Sequence, residues 1–341
     1  MFYSDRLGQI SDIQVQAALA HLGLGDLIAT AAIPFGLFEQ NFFVTSTQGE
    51  FVVRAAPHYA WQLPTEQYFA EVMARETTVP APWPYLVSHQ SEPFPWPWGY
   101  AAMPQKPGLL LADAEVYAAL TLHQRTSLAR AEGDLLWALH QATSPVAGTF
   151  DVATGSIRPS AGGYLARTIN RTLDHVATAF GHGAHNQGDD DWVRRLVESC
   201  RSLDAPDNFS VVHEDFNRNN MVATFDGGEV TITGLVDLMT CHYGDGLADL
   251  ARQFSIFLDE PEGEPLARRF VHTYLSRTGS WGQDVHQRGL LYLIDERMIA
   301  WSYANRPGNE ALDWWDRSLS LRTWLEPFLD AWAAVVDASP G

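Results

Sequence analysis

Between Ser210 and Ala251 the chain reads SVVHEDFNRNNMVATFDGGEVTITGLVDLMTCHYGDGLADLA, and the order of residues there leaves few folds open. His213, Asp215 and Asn220 stand in the spacing H-x-D-x-x-x-x-N, and Asp237 follows seventeen residues after Asn220. Met221–Ala223 and Val230–Val236 read as strands, turned at Asp226, Gly227 and Gly228. A hairpin of that length returns Asp237 beside Asn220, so two hard oxygen donors meet at one end of a short antiparallel pair. Asp215 stays a separate group, able to face a nucleophile. Taken singly, Asp237 is a turn cap, Asn220 a turn residue, and His213 a structural residue holding its loop through a backbone hydrogen bond. Only the joint pattern constrains the chain.

Composition closes other routes. The chain has 341 residues, which predicts one large or two ordinary domains, and its 46% hydrophobic and 12% aromatic content is enough for a real core. A formal charge of −19 argues against nucleic acid or an anionic membrane as the main partner and favours cationic ligands. Two cysteines cannot build a disulfide framework or a cysteine zinc site, so a reducing compartment is expected. The opening MFYSDRLGQISDIQ lacks the basic and apolar regions of a secretory signal, and no apolar run approaches the ~18 residues that span a bilayer. A cytoplasmic protein, monomer or homodimer, is the expectation. Of 22 basic residues only Lys106 is a lysine, and Pro107 follows it, so the phosphate-cradling G-x-x-x-x-G-K-[ST] is absent. G-x-S-x-G, H-E-x-x-H and G-x-G-x-x-G are absent too.

Along the chain, Ser11 and Gln14 form a capping box before a helix with Ile13, Ala17, Leu19 and Leu22 on its apolar face, stopped by Gly23 and Gly25. Two strands, 42–46 and 50–55, are joined through Thr47, Gln48 and Gly49. A helix is predicted over 65–76 from Thr65. The proline- and tryptophan-rich stretch 80–98 excludes helix, and a central strand is not expected before Gly99–Met103. Helical patterns then dominate: one ending near His140, one over 163–180, and one over 191–202 after the acidic loop Asp189, Asp190 and Asp191. Short strands fill 210–250, and helices run from 265 to the end. The division is a small β-rich part, 1–104, and a larger helical part, 105–341.

The segment 210–251 resembles the aminoglycoside phosphotransferase and choline kinase superfamily, whose usual text is close to H-G-D-x-x-x-x-N followed by I-D-x-x-x-x-x-x-G-D-x-x-x-D-L-A. Here the second part runs from Val236-Asp237 through Gly244-Asp245 to Asp249-Leu250-Ala251. VVHEDFNRNNMV and the later G-D-x-x-x-D are similar to the hygromycin phosphotransferase branch. The resemblance implies an α+β, two-lobed protein-kinase-like fold with a small β-rich N-lobe and a larger helical C-lobe. It implies an ATP- and Mg²⁺-dependent kinase, with GTP left open as donor, acting on a hydroxyl of a small cationic molecule. Asp215 would be the catalytic base, Asn220 and Asp237 the metal ligands, and Asp249 and His213 supports of the loop. Gly36 is the one glycine of a degenerate nucleotide-covering loop at Ile33–Val44. Arg54 stands where protein kinases carry the phosphate-binding lysine, with Glu66 as its carboxylate partner and Glu71 as second choice. The backbone of Ala101 to Met103 would take the adenine edge. Lys106, beyond that hinge, reads as a solvated surface residue.

Two features depart from the family text. Glu214 replaces the usual small residue beside His213, and Asn217 stands where histidine or tryptophan is frequent. Glu214 joins Asp259, Glu260, Glu296 and the further acids Glu262, Glu264, Asp295, Glu310, Asp313 and Asp316 as candidate partners for an amino sugar, with Trp301, Tyr303, Trp314 and Trp315 as rings that could stack on it. Choline-like amines, homoserine and methylthioribose are competing substrates. Two readings from other classes remain: a catalytically inactive kinase-like binding protein, and a metal-dependent hydrolase using His213, Asp215, Asp237 and His242. Nucleotide dependence separates the latter.

Overall fold

The computed structural model describes residues 10–33, 40–55, 59, 61–88, 99–279, 283–309, 312 and 316–337. In chain order the strands are β1 (Leu27–Ala32), β2 (Gln40–Ser46), β3 (Gly49–Ala55), β4 (Leu86–Val87), β5 (Tyr100–Pro104), β6 (Leu109–Leu110), β7 (Thr143–Ser144), β8 (Gly148–Asp151), β9 (Ser156–Pro159), β10 (Phe209–Val212), β11 (Met221–Asp226), β12 (Glu229–Leu235) and β13 (His242–Gly244). The helices are α1 (Asp12–Leu22), α2 (Gln62–Glu76), α3 (Ala114–Ala118), α4 (Leu122–Leu139), α5 (Ala166–Gly181), α6 (Gln187–Ser199), α7 (Leu247–Leu258), α8 (Gly263–Thr278), α9 (Gln283–Ala304) and α10 (Leu321–Val336). The chain forms two compact units. Unit 1 comprises Met1–Thr121, Phe150–Ser156 and Arg218–Cys241; unit 2 comprises Leu122–Thr149, Ile157–Asn217 and His242–Gly341.

Unit 1 is built on an antiparallel sheet in the order β1-β2-β3-β5-β4. β2 and β3 form the expected hairpin, closing at Ser46 opposite Gly49. Short β4 lies at the edge, where a proline-flanked segment does least damage to a ladder. The capping box at Ser11 and Gln14 is present, and Gly23 ends α1 in the left-handed conformation. The buried face of α1 is Val15, Ala18 and Leu19, whereas Ile13 is exposed, so the apolar stripe starts two residues later than expected. That stripe packs on Phe42, Val44, Val53 and Tyr100 of the sheet. α2 starts at Gln62, ahead of the expected Thr65, because Pro64 sits in a first turn that has no internal N–H partner to lose.

The division between the units differs from a cut at residue 104. β11 pairs with β12 along the predicted hairpin, and β11 also pairs with β6, Val222 opposite Leu110. This three-stranded sheet draws 218–241 into unit 1. Gly108 permits the approach: its φ is +123°, and a Cβ there would lie 2.3 Å from the Ala223 carbonyl oxygen.

Unit 2 is mostly helical. α4 packs on α8, and α9 packs on both α5 and α7. Phe254, Phe270 and Trp332 are fully buried in its core. α6 begins at Gln187 with Asn186 as its cap, so Asp189 and Asp190 belong to its first turn, where carboxylates complement the helix dipole, and not to a preceding loop. β10 pairs with β13, Val212 opposite His242, and delivers the loop that begins at His213.

Candidate active site

In unit 1, a cavity of about 460 Å³ has apolar walls that include Val52, Met103, Val222 and Val236, and polar groups Arg54, Asn220 and Asp237. β3 places Arg54 opposite Ala101 in the ladder and almost fully buried. Its Nη1 donates to Glu66 Oε2 at 2.6 Å, and its Nη2 donates to Asp237 Oδ1 at 3.3 Å. The Tyr85 hydroxyl donates to the same Glu66 oxygen at 2.8 Å. Glu66, one turn into α2, is the partner that the sequence puts first; Glu71 instead pairs with Arg75 at the surface. Asn220 closes a single helical turn, and its carbonyl accepts from the Val236 N–H at 2.9 Å. That bond and the pairing of Met221 with Leu235 bring Asp237 back to the level of Asn220. Asp237 itself has φ 62° and ψ 60°, a left-handed backbone that an aspartate tolerates better than most residues. A non-glycine residue held there is often part of a working site.

The donor set fits Mg²⁺. An amide oxygen and a carboxylate, both hard, share the cavity, and a small octahedral cation takes its remaining ligands from phosphate and water. Among the described residues no group of three or more His, Cys, Asp or Glu side chains is arranged to hold a metal without such help. Asp237 and Asn220 would hold the ion against phosphate oxygens.

The remaining residues expected around a nucleotide fall out as follows. Met103 lies on the cavity wall, whereas Ala101 is fully buried in the sheet interior, paired with Arg54 on one side and Val87 on the other. The wall continues through Pro104, Gln105 and Lys106. Lys106 is therefore not a fully solvated residue: it is half-buried, burial lowers its pKa, and its stem packs so closely on Gly234 that a Cβ there would lie 2.9 Å from Lys106 Cγ. Gly36 lies outside the described residues.

In unit 2, Asp249 fixes the loop after β10. The Asp249 carboxylate, buried on α7, accepts the His213 N–H at 2.7 Å and the Glu214 N–H at 2.9 Å. His213 Nδ1 accepts from the Asp215 N–H at 3.3 Å. Asp245, of the same motif, accepts from the Leu247 N–H at the start of α7 and pairs with Arg288 on α9; burial raises its pKa. Asp215 is 40% exposed at its side chain, and its Oδ1 accepts from Asn217 Nδ2 at 3.0 Å and from Arg252 Nη2 at 2.8 Å.

Several of the acids expected to hold a cationic substrate are engaged with arginine. Glu214 accepts from Arg167 at 2.8 Å and from Arg171 at 2.5 Å, and His242 lies 3.5 Å away. Glu214 holds φ at 64°, where the usual small residue would sit without strain. Glu296 accepts from Arg252 at 2.7 Å, and Asp259 makes two 2.8 Å bonds with Arg297. Glu260 is half-buried beyond the end of α7. Trp301 is fully buried against Trp324, so it presents no face to a sugar ring. Glu310, Asp313, Trp314 and Trp315 lie outside the described residues. Arg171 and Arg252 belong to no motif and escape a sequence reading. The one hint is that Arg252 follows Asp249 by three residues on a helix and so shares its face.

An antiparallel sheet with an arginine–glutamate pair, a short hairpin carrying Asn220 and Asp237, and a helical unit with an aspartate loop define an α+β fold of the protein-kinase-like kind. Solved structures of that kind match along nearly the whole chain. A thermostable mutant of aminoglycoside phosphotransferase APH(4)-Ia bound to ADP and hygromycin B superposes with a TM-score of 0.55 at 16% identity, covering 97% of this chain and 100% of that one. Aminoglycoside 2′-phosphotransferase-IIIa with GDP gives 0.58 at 14%, covering 96% and 99%. Macrolide 2′-phosphotransferase MphH from Brachybacterium faecium gives 0.53 at 17%, covering 96% and 99%. The model of the phosphotransferase enzyme family matches residues 31–287, and the chain belongs to that family. A homoserine kinase of Burkholderia mallei (strain SAVP1) is 35% identical over 78 residues, which span 22% of this chain and 23% of that kinase. No helix among the described residues is long and apolar enough to cross a membrane.

Proposed function

We propose that the protein transfers the γ-phosphoryl group of ATP to a hydroxyl of a small molecule, with Mg²⁺ as cofactor. The observation that carries this reading is the cavity of unit 1, where the buried Arg54–Glu66 pair and Asp237 stand with Asn220. Arg54 would bind phosphate oxygens with a charge that never titrates. Mg²⁺, held by Asn220 and Asp237, would neutralise charge on the β- and γ-phosphates. The apolar wall at Val52, Met103 and Val222 suits a nucleobase. Asp215 takes the proton of the acceptor hydroxyl as its oxygen bonds to the γ-phosphorus; the bond to the bridging oxygen breaks, and ADP leaves with the electron pair.

The acceptor admits two readings. An amino sugar or aminocyclitol accords with the acidic sequence and with the hygromycin B bound by one structural relative. An acceptor of low net charge is favoured by a specific observation: Glu214, Glu296 and Asp259 each already hold a guanidinium, which a polycation would have to displace. The homoserine kinase match belongs with this second reading. ADP release from Mg-ATP, measured over a panel of kanamycin, hygromycin B, choline, homoserine and fructosamine at two ionic strengths, tests both. A polycation as best acceptor, with a KM that rises with salt, selects the first; a low-charge acceptor with a salt-indifferent KM selects the second. A melting temperature unmoved by Mg-ATP would remove the kinase reading itself.

A further inference from the structure

The charged groups around Asp215 form a closed circuit inside unit 2. Asp215 accepts from Arg252 Nη2, and Arg252 Nη1 donates to Glu296 at 2.7 Å. Glu296 is the chain neighbour of Asp295 on α9. Asp295 accepts from Arg171 of α5 through both Nε and Nη2, and from the Thr172 hydroxyl at 2.8 Å. Arg171 Nη1 then donates to Glu214 at 2.5 Å, and Glu214 is the chain neighbour of Asp215. Two adjacent acids of the loop are thus cross-linked, by two arginines, to two adjacent acids of one helix.

The circuit has one open corner. Side-chain exposure is 4% at Asp295, 16% at Glu296 and 18% at Glu214, but 40% at Asp215. The three shielded carboxylates anchor; the exposed one is available for chemistry. Glu214 completes the circuit from a left-handed backbone, φ 64°, which costs conformational energy that glycine would avoid. A strained residue persists where its surroundings fix it, and here two guanidiniums and the Asp249 carboxylate do so. Buried ion pairs are poor sources of net stability but good at specifying one geometry.

We propose that Glu214, Arg171, Asp295, Glu296 and Arg252 act as one positioning device that holds the Asp215 carboxylate at a single orientation. This rests on Asp215 being the base of the proposed transfer. Arg252 acts on Asp215 directly. Arg171 bonds to Glu214 and Asp295 and acts on Asp215 through them, so it is a positioning residue in the strict sense.

The experiment measures ADP release from Mg-ATP with the best acceptor of the panel above, or with water where none exceeds it. Arg252→Met and Arg171→Met should each lower kcat at least tenfold while the KM for ATP stays within twofold. Their combination should lose little more than the worse single variant, because both break one unit. Arg252→Lys should recover part of the loss, since an ammonium replaces one of the two bonds. A folded Arg171→Met with kcat within twofold of the parent would overturn the proposal, and so would single losses that multiply in the double variant. Where either methionine variant fails to fold, Glu214→Gln opens the circuit with a near-isosteric side chain: a several-fold loss of kcat supports the device, and an unchanged kcat overturns it. Asp215→Asn run beside them keeps the two claims apart. Full turnover there removes the base assignment, whereas lost turnover there with Arg171→Met unaffected removes only the device.

Discussion

Arg54→Ala removes the cation between two carboxylates, and the structure sets the size of the effect. Glu66 is 1% exposed at its side chain and Arg54 11%, so deletion leaves a buried carboxylate without its guanidinium. The Tyr85 hydroxyl stays within 2.8 Å, but it supplies no compensating charge. Breaking a buried pair from one side costs about 3–5 kcal/mol. At about 2–4 °C per kcal/mol for a domain of 150–250 residues, the melting temperature should fall by roughly 6–20 °C. Arg54→Lys keeps the charge but cannot reproduce a fork that reaches Glu66 and Asp237 together, so it should lose about 1.5–3 kcal/mol, the worth of one charge-assisted bond. Adding Glu66→Gln to Arg54→Ala removes the stranded charge and should restore most of the stability. It should not restore nucleotide affinity, because the phosphate-binding cation is still missing. Thermal melts without ligand, followed by calorimetric titration with Mg-ATP, separate the two roles. A melting temperature for Arg54→Ala within about 2 °C of the parent, under ~1 kcal/mol, would refute the energetics. Unchanged Mg-ATP affinity in the same variant would refute the phosphate role.

Asp215→Asn should cut turnover by about 10²–10⁴-fold while Mg-ATP affinity stays within a few-fold, and activity near that of the parent would deny it the part of base. Asp237→Ala should weaken Mg-ATP binding more than Asn220→Ala does, since a carboxylate carries the charge that a neutral amide oxygen lacks; titration with and without Mg²⁺ reads the difference, and equal losses would count against it. Burial would raise the Glu214 carboxyl, but His242, Arg167 and Arg171 together outweigh it and hold it below the usual carboxylate range. Its ionised form therefore stabilises the fold above the unfolded value of about 4.3, and that contribution is lost as pH falls through the lower folded value. Glu214→Gln should melt below the parent at pH 7 and converge with it in acid, and parallel melting curves between pH 7 and pH 3.5 would contradict this.

What the sequence made legible is what short-range geometry controls. The capping box at Ser11 and the hairpin that returns Asp237 beside Asn220 follow from local spacing, whereas a loop support by Asp249, 36 positions from His213, is implied only by the family resemblance. The start of α2 is missed because Pro64 marks a boundary only in a helix interior. The cut at residue 104 fails for another reason: two residues of β6 join a sheet whose other strands lie more than a hundred positions away, and no local pattern announces such pairing. Lys106 is misplaced on the same grounds, since Gly234 forms the surface on which it lies. Arg171 and Asp295 are 124 positions apart and are joined only by the packing of α5 on α9. Glu214 left a trace, as a bulky acid where the family text has a small residue, and its left-handed backbone gives that trace a physical meaning.

Net charge shows why such arrangements defeat composition. A formal charge of −19 invites a cationic ligand, but the sum counts every acid alike. Around Asp215, among the described residues, five carboxylates (Glu214, Asp215, Asp249, Asp295 and Glu296) stand with three guanidiniums (Arg167, Arg171 and Arg252), a local formal charge of −2. A ligand responds to that local field, because charges separated by more than about 8–10 Å are screened at physiological salt. The acidic composition therefore bears on solubility and long-range steering, and the arginines bear on specificity. An amino group entering beside Asp215 meets carboxylates already satisfied at 2.5–2.9 Å, and each bond it takes must be taken from a guanidinium that is then left unpaired. If the proposed transfer holds, the cost of stranding that cation would limit how many positive charges its acceptor carries.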